Sequence, residues 1–191
     1  GYEIVPDAED ADTVIINTCG FIDEAKEESI EAILDVAEMK QGDGGAPAKK
    51  LLVAGCMVNR YGEELSKEIP EIDGFIGLDD LQKVGDLVQL GGAPPPPEPA
   101  HLVFDHTAPR TLTTRGFAYL KVAEGCNNPC TFCAIPKWRG RFRSRTLESL
   151  VDEAKQLEDS GLRELCLIAQ DTTRYGEDLG LGKHGLTRLV E

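Results

Sequence analysis

The spacing of apolar and polar residues predicts alternating strands and helices in the first half of the chain. Short apolar runs at residues 13–17, 51–54 and 74–77 are typical of strands buried on both faces of a parallel sheet. Helices are predicted at residues 23–40, 63–68 and 79–88, the last with Asp79 as its N-cap. The apolar positions of the first helix share one predicted face: Ile30, Ile33, Leu34 and Ala37. This order predicts a three-layer α/β domain with a parallel sheet.

The second half repeats the pattern and predicts the start of a partial (β/α) barrel. Strands are predicted at residues 118–122 and 164–169. The amphipathic helix between them begins after Thr146, a good N-cap, and ends at Gly161. Another helical pattern begins near Leu186. Two strands cannot close a barrel, so only its opening elements are expected.

A proline-rich segment divides the chain. Residues 91–99 contain five prolines, which cannot continue a helix or a central strand. We therefore predict a first domain at residues 1–92, a linker at 93–115 and the barrel segment at 116–191. The formal net charge of −14 lies wholly in the first domain, which has 7 basic and 21 acidic side chains. The remainder has 13 of each.

Charge and hydropathy exclude several partners. A pI near 4.6 argues against a nucleic-acid partner and favours a basic one, because phosphate contacts dominate nucleic-acid affinity. No run approaches the roughly 18 apolar residues of a membrane span, and no basic-then-apolar leader follows Gly1. We therefore expect no membrane partner and a cytoplasmic location. A start at Gly1 also predicts a processed or fragmentary chain.

The cysteines indicate metal chemistry. Cys126, Cys130 and Cys133 follow a predicted strand at C-x3-C-x2-C spacing. Three thiolates on one short loop suit three corners of a cubane 4Fe–4S cluster and leave one iron open. An odd number of cysteines in the loop argues against disulfides. Zinc stays an alternative, but its fourth ligand would be His101 or His106, upstream and across a strand.

This spacing, with Phe132 immediately before the third cysteine, resembles the signature of the radical SAM superfamily. The resemblance implies that the open iron binds S-adenosylmethionine and that an electron from the cluster cleaves it to a 5′-deoxyadenosyl radical. The protein would position and protect that radical. Phe132 is then expected near the cluster and the adenine, although it can also be only a wall of the site.

Residues 17–23 and 54–56 resemble the N-terminal domain of the methylthiotransferase family. Their cysteines, Cys19 and Cys56, both follow apolar strands, and the carboxyl ends of parallel strands share one edge of a sheet. We therefore expect them to converge. From the residues alone, two buried structural cysteines are an equal alternative. The resemblance implies that they bind an auxiliary 4Fe–4S cluster.

The third ligand that the family provides for this cluster lies upstream of the matched residues. The chain is therefore expected to be truncated at both ends, inactive by itself, and short of a complete auxiliary site. Cys166 is a poor substitute because it lies within the apolar run at residues 164–169, where a core position is predicted.

The resemblance also implies a substrate. Residues 20–23 and 169–176 are similar to the branch that adds a methylthio group to the β-carbon of an aspartate in small-subunit ribosomal protein twelve. The branch that modifies transfer-RNA adenosine typically has a Gly-Gln-Asn run in place of residues 169–171. The acidic first domain favours a highly basic protein substrate. S-adenosylmethionine would serve as methyl donor and radical source, with electrons from an external donor.

Three further residues are candidates for contact with cofactor or substrate. Gln170 and Asp171 end a barrel-type strand, where loops build active sites, although simple loop or cap roles stay open. Arg145 is a candidate for binding the cofactor carboxylate, a bidentate task that suits arginine. It ends a basic run at 137–145, which is also typical of a solvated loop.

The leading hypothesis is a radical SAM methylthiotransferase with two 4Fe–4S clusters that acts on a ribosomal protein. Within the family, the alternative is the transfer-RNA enzyme. From a different class, the alternatives are a non-catalytic iron–sulfur electron carrier and a zinc-bound structural module.

Overall fold

The computed structural model describes residues 2–41, 50–94, 106–107 and 116–191. The chain divides into two compact units, Gly1–Pro99 and Ala100–Glu191. Residues 42–45, predicted to end the first helix, lie outside the described residues, as does most of the predicted linker at 93–115. Ala93, at the start of that linker, pairs with Phe75 through two backbone hydrogen bonds of 2.8 and 3.1 Å.

The first unit contains a sheet of three parallel strands in the order β1-β2-β3. These strands are β1 (Thr13–Thr18), β2 (Lys50–Gly55) and β3 (Gly74–Ile76). Helix α1 (Asp23–Gln41) connects β1 to β2, and helix α2 (Cys56–Glu68) connects β2 to β3. A 3₁₀ turn, Leu78–Lys83, then leads into helix α3 (Val84–Leu90).

The central strand β2 is buried on both faces, which explains its continuous apolar sequence. Leu51 and Val53 pack with residues of α1 and α2, whereas Leu52 and Ala54 pack with residues of the 3₁₀ turn and α3. Successive side chains of a strand point to opposite faces, so one strand joins two helical layers. The predicted three-layer α/β domain with a parallel sheet is confirmed.

The buried face of α1 differs from the predicted one. Ile33 and Ala37 are buried as expected, and Val36 joins them. Ile30 and Leu34, predicted on the same face, are 38% and 45% exposed. Each follows the buried stripe by one position, a rotation of about 100° around the helix axis. The sheet covers only one narrow stripe of the helix, so these two side chains remain outside it.

Two other helix predictions are wrong in this unit. Helix α2 begins at Cys56 and not at residue 63, because Gly55 has a φ of +100° and turns the chain directly from β2 into the helix. Asp79 is not an N-cap, since the 3₁₀ turn starts after Gly77 without a side-chain cap.

The second unit pairs β4 (Phe117–Lys121) in parallel with β7 (Glu164–Ile168). Helix α5 (Leu147–Asp159) connects them, with Thr146 as its N-cap and Gly161 at a φ of +92° after its end, both as predicted. Between β4 and α5 lie a short antiparallel pair, β5 (Ala123–Glu124) with β6 (Arg143–Ser144), and helix α4 (Ile135–Trp138). Helix α6 (Gly185–Val190) ends the unit.

Cys166 does not have the core position that its apolar neighbours predict. It is only half-buried, and its register partner in β4 is Tyr119, which is exposed. Leu165 and Leu167 pair instead with the buried Ala118 and Leu120. Register partners in a parallel sheet share a face, so Cys166 lies on the opposite face from the core.

Within the described residues, no helix is both long enough and apolar enough to cross a membrane.

The buried stripe of α1 can be tested with a matched pair of variants. Ile33→Ala should lower the free energy of unfolding by about 2–4 kcal/mol, because it leaves a cavity under the helix. Ile30→Ala should cost less than about 1 kcal/mol, because that side chain is already exposed. Urea unfolding followed by far-ultraviolet circular dichroism measures both. Equal losses would contradict the assigned face.

Candidate functional site

The three cysteines of the C-x3-C-x2-C motif lie on one loop between β5 and α4. Cys126 is buried, Cys133 is half-buried and Cys130 is exposed. The backbone N–H of Cys133 donates to the carbonyl of Cys130 at 3.1 Å, and the N–H of Asn128 donates to the Cys126 sulfur at 3.4 Å. The motif therefore folds as a compact loop with its middle cysteine toward solvent.

The chain segment that leads into β6 packs against the loop and forms hydrogen bonds with it. Gly125 has a φ of +75°, and a Cβ there would overlap two backbone carbonyl oxygens, that of Gly140 at 2.6 Å and that of Arg141. The N–H of Cys126 donates to the Gly140 carbonyl at 3.3 Å, and the Phe142 N–H donates to Asn127 Oδ1 at 3.0 Å. Only glycine fits this close approach.

A mostly buried carboxylate precedes the loop. The Glu124 side chain is 13% exposed and forms ion pairs with Lys121 and, at 3.0 Å, with Arg139. Burial would raise the pKa of Glu124, but the attraction of Lys121 and the hydrogen bonds from both cations outweigh it, so the pKa is lowered. Glu124 therefore stays ionised and ties β4, the loop and α4 together.

Two residues that follow β7 also form hydrogen bonds with this loop. Gln170 accepts a hydrogen bond from the Gly125 N–H at 2.8 Å, and Asp171 accepts one from Asn128 Nδ2 at 2.9 Å. Asp171 also caps the 3₁₀ turn Thr172–Arg174, and the hydrogen bond from the Thr173 hydroxyl is the main cause that lowers its pKa. These contacts position the loop; contact of either residue with cofactor or substrate stays a prediction.

The other two predicted cofactor residues have contrasting environments. Phe132 is 91% exposed on the loop, so its ring is accessible, and its place beside a cluster and adenine stays a prediction. The Arg145 side chain is 3% exposed. Its guanidinium donates to Glu153 at 2.5 Å and to the Ser149 hydroxyl at 2.9 Å. Arg145 therefore anchors α5, because its charge pairs with Glu153 on that helix; its contact with the cofactor carboxylate stays a prediction.

Cys19 and Cys56 lie at the carboxyl edge of the first sheet. Thr18 and Gly55 are register partners in β1 and β2, so the cysteine after each follows at the same edge, where neighbouring strands are about 4.8 Å apart. A Cβ on Gly20 would lie 3.0 Å from the Cys56 carbonyl carbon. The predicted convergence of the two segments is confirmed; the ligand role of these cysteines stays a prediction.

The chemistry of these residues fits iron–sulfur clusters. None of the six cysteines, all within the described residues, is in a disulfide bond. Thiolates are the ligands of such clusters, and the loop supplies three of them within eight residues. As placed, no three His, Cys, Asp or Glu side chains among the described residues are close enough to hold a metal ion. His106, a candidate zinc ligand, lies beside Ser149 of α5, and His101 lies outside the described residues.

The sequence did not indicate three residues, one directly before the loop and two within it, that help to fix its conformation. Glu124, Asn127 and Asn128 gain their roles from partners far along the chain. The only local signal was the spacing of Lys121 and Glu124, three residues apart, which is also common on exposed surfaces.

Two family models match separate parts of the chain. Residues 1–77 match the family described as "Uncharacterized protein family UPF0004", and residues 120–188 match the "Radical SAM superfamily". A solved structure of the radical S-adenosylmethionine methyltransferase TsrM from Kitasatospora setae covers 93% of this chain and 39% of its own, with a TM-score of 0.54. Its sequence identity of 14% supports the fold alone. The second part of the chain thus matches the radical SAM superfamily over residues 120–188.

Curated relatives are much more similar. Proteins named "Ribosomal protein uS12 methylthiotransferase RimO" from Solibacter usitatus and Clostridioides difficile are 50% and 45% identical over the whole chain. The one from Aquifex aeolicus is 49% identical, also over the whole chain. Along its whole length the chain is thus similar to RimO-type methylthiotransferases. It spans about 40% of the length of these relatives.

Gly125 provides a test of the loop geometry. Gly125→Ala should abolish iron binding by the loop, because the new Cβ would overlap the Gly140 and Arg141 carbonyl oxygens. Gly161→Ala is the matched control: it also has a positive φ but no atom within 4 Å of the added carbon. It should cost about 1–2 kcal/mol of stability and leave iron binding intact. Iron per chain after anaerobic reconstitution measures both; full iron loading of Gly125→Ala would refute this view of the loop.

Glu124→Gln should loosen the same loop. The substitution removes the charge that pairs with Lys121 and Arg139 and should cost about 1–3 kcal/mol. Amide hydrogen exchange should increase in the loop and in α4. Unchanged exchange there would show that the ion pairs do not hold the loop.

Proposed function

We propose that Cys126, Cys130 and Cys133 hold a 4Fe–4S cluster that binds S-adenosylmethionine, and that the protein containing this chain is a methylthiotransferase. The observation that carries the proposal is the C-x3-C-x2-C loop at the end of a parallel strand, in a chain that aligns along its whole length with relatives of that name. When bound, the cluster and S-adenosylmethionine supply the electron transfer and the radical chemistry.

The chain's own residues shape the place where this chemistry occurs. Gln170 and Asp171 hold the loop through Gly125 and Asn128, so the thiols keep a fixed position relative to the end of β7. Three cysteine ligands leave the fourth iron for the cofactor. Phe132, which is exposed next to Cys133, is available to cover one side of the adenine.

A second cluster is proposed at the edge of the first sheet. Cys19 and Cys56 follow neighbouring strands and supply two ligands for it. Cys56 is the first residue of α2, and the positive end of a helix dipole favours a thiolate. In the proposed organisation, residues 1–92 form the auxiliary-cluster domain, 93–115 the linker and 116–191 the start of the radical SAM barrel.

The proposed substrate is ribosomal protein uS12, the protein that the names of the relatives specify. The excess negative charge of residues 1–92 favours a basic protein over transfer RNA, because carboxylates repel phosphates. We propose that an external donor supplies the electrons and that the protein acts in the cytoplasm, with neither a membrane nor a nucleic acid as partner.

Anaerobic reconstitution with iron and sulfide tests the cluster. The chain should acquire the visible absorption of a 4Fe–4S cluster, and the spectrum of the reduced cluster should change when S-adenosylmethionine is added. Cys130→Ala should lose the loop cluster, because a second iron, besides the open one, would then lack a protein ligand. Cys166→Ala is the matched control and should keep it. One equivalent of zinc without iron would favour a structural module, and a cluster insensitive to S-adenosylmethionine would favour an electron carrier.

A separate assay distinguishes the substrates. The full-length protein, with both clusters, should be offered uS12 and transfer RNA in parallel with S-adenosylmethionine and a reductant. Mass spectrometry should find the methylthio group on an aspartate of uS12. Modification of the RNA alone would refute the proposed substrate.

A further inference from the structure

The outer surface between α1 and α2 forms an apolar groove, here called the α1–α2 groove, with a volume of about 660 Å³. Its floor consists of apolar residues from α1, from α2 and from the position directly after α2: Ile30, Leu34, Met57, Tyr61, Leu65 and Ile69. The groove lies wholly within the first unit, and neither Cys19 nor Cys56 lines it.

Two apolar residues of the floor, Ile30 and Leu34, lie outside the core of this unit. Helix α1 already buries Ile33, Val36 and Ala37 with the central strand, while Ile30 and Leu34 stay substantially exposed. These two residues are four positions apart, so they form a continuous row along the helix. Apolar rows of this kind beside a groove are typical of sites that receive a partner helix.

The rim of the groove is acidic. Glu27 borders it on α1, and Glu64 and Glu68 border it on α2. None of these three glutamates forms an ion pair with the described residues. The cation at the rim, Lys26, is already paired with Asp23 at 2.5 Å. The rim therefore presents uncompensated negative charge around an apolar floor.

We propose that the α1–α2 groove is a docking site for a basic amphipathic helix of a partner protein. The apolar face of that helix would pack on Ile30 and Leu34, and its lysines or arginines would pair with Glu27, Glu64 and Glu68. An anionic membrane or an RNA is disfavoured because its phosphates would meet these carboxylates. The proposal does not depend on the cluster chemistry, because the two cysteines of this unit, Cys19 and Cys56, do not line the groove.

A designed peptide is the appropriate probe. It has about 14 residues, or roughly 20 Å of helix, to match the length of α2. Leucines occupy one face and lysines both flanks; a second peptide has glutamates in place of the lysines. Titration calorimetry with the 191-residue chain should show saturable binding of one lysine peptide per chain. The glutamate peptide should bind at least about tenfold more weakly, because its charges repel the rim.

Two pairs of variants locate the binding site. Leu34→Glu should weaken binding of the lysine peptide at least about tenfold. Leu90→Glu, on an exposed position of α3, introduces the same charge and should change it less than about twofold. The double variant Glu64→Lys, Glu68→Lys should weaken binding about tenfold, whereas Glu28→Lys, Glu31→Lys, on α1 outside the groove, should not. Circular dichroism confirms that each variant is folded.

The outcomes distinguish the proposal from its rivals. Equal weakening by the paired variants would show general charge attraction and overturn the proposal. Stronger binding of vesicles rich in anionic lipid would do the same. Self-association of the chain that Leu34→Glu abolishes would show that a second copy fills the groove. Loss of cluster binding by Cys130→Ala with unchanged peptide affinity would separate this site from the proposed function.

Discussion

Parallel strand pairing is the constraint on which both units depend. In a parallel sheet all strands end at one edge, so residues far apart in the chain meet there. In the first unit, the pairing of Thr18 with Gly55 brings Cys19 and Cys56 to the same edge. In the second, the pairing of β4 with β7 brings Gln170 to the amide of Gly125, 45 residues away. Both cysteine sites are thus consequences of strand register.

The cysteine loop shows how a polar network can fix a segment that has little hydrophobic core of its own. Besides the hydrogen bonds within the motif, the loop donates hydrogen bonds to acceptors outside it: Gln170 and Asp171 after β7, and the carbonyl of Gly140. Glu124 adds a partly buried charge that two cations neutralise. Such networks hold only when every member is satisfied, since an unpaired buried group costs about 1–3 kcal/mol. The cysteines themselves are left available for ligand binding.

The negative charge of the first unit and its apolar groove act together in the proposed binding of a partner. The negative charge of residues 1–92 sets up a long-range field that attracts basic proteins and repels nucleic acids. At short range, a field cannot select one partner from many basic ones. In the proposed complex, the α1–α2 groove supplies the specificity, because Ile30 and Leu34 stabilise only a partner that has a matching apolar face.

The sequence alone determined the five parallel strands, the Thr146 cap and the spacing of the loop cysteines, because these depend on local periodicity and on spacing within a few residues. It also predicted that Cys19 and Cys56 converge, since parallel strands leave little choice of edge. Only the tertiary structure decided which stripe of α1 is buried and that Arg145 forms an ion pair with Glu153. It also decided that Cys166 lies on the sheet face opposite to the core. Those outcomes depend on how distant elements rotate against each other. A rotation of one residue, about 100° in a helix or 180° in a strand, is enough to exchange a core position for a surface one.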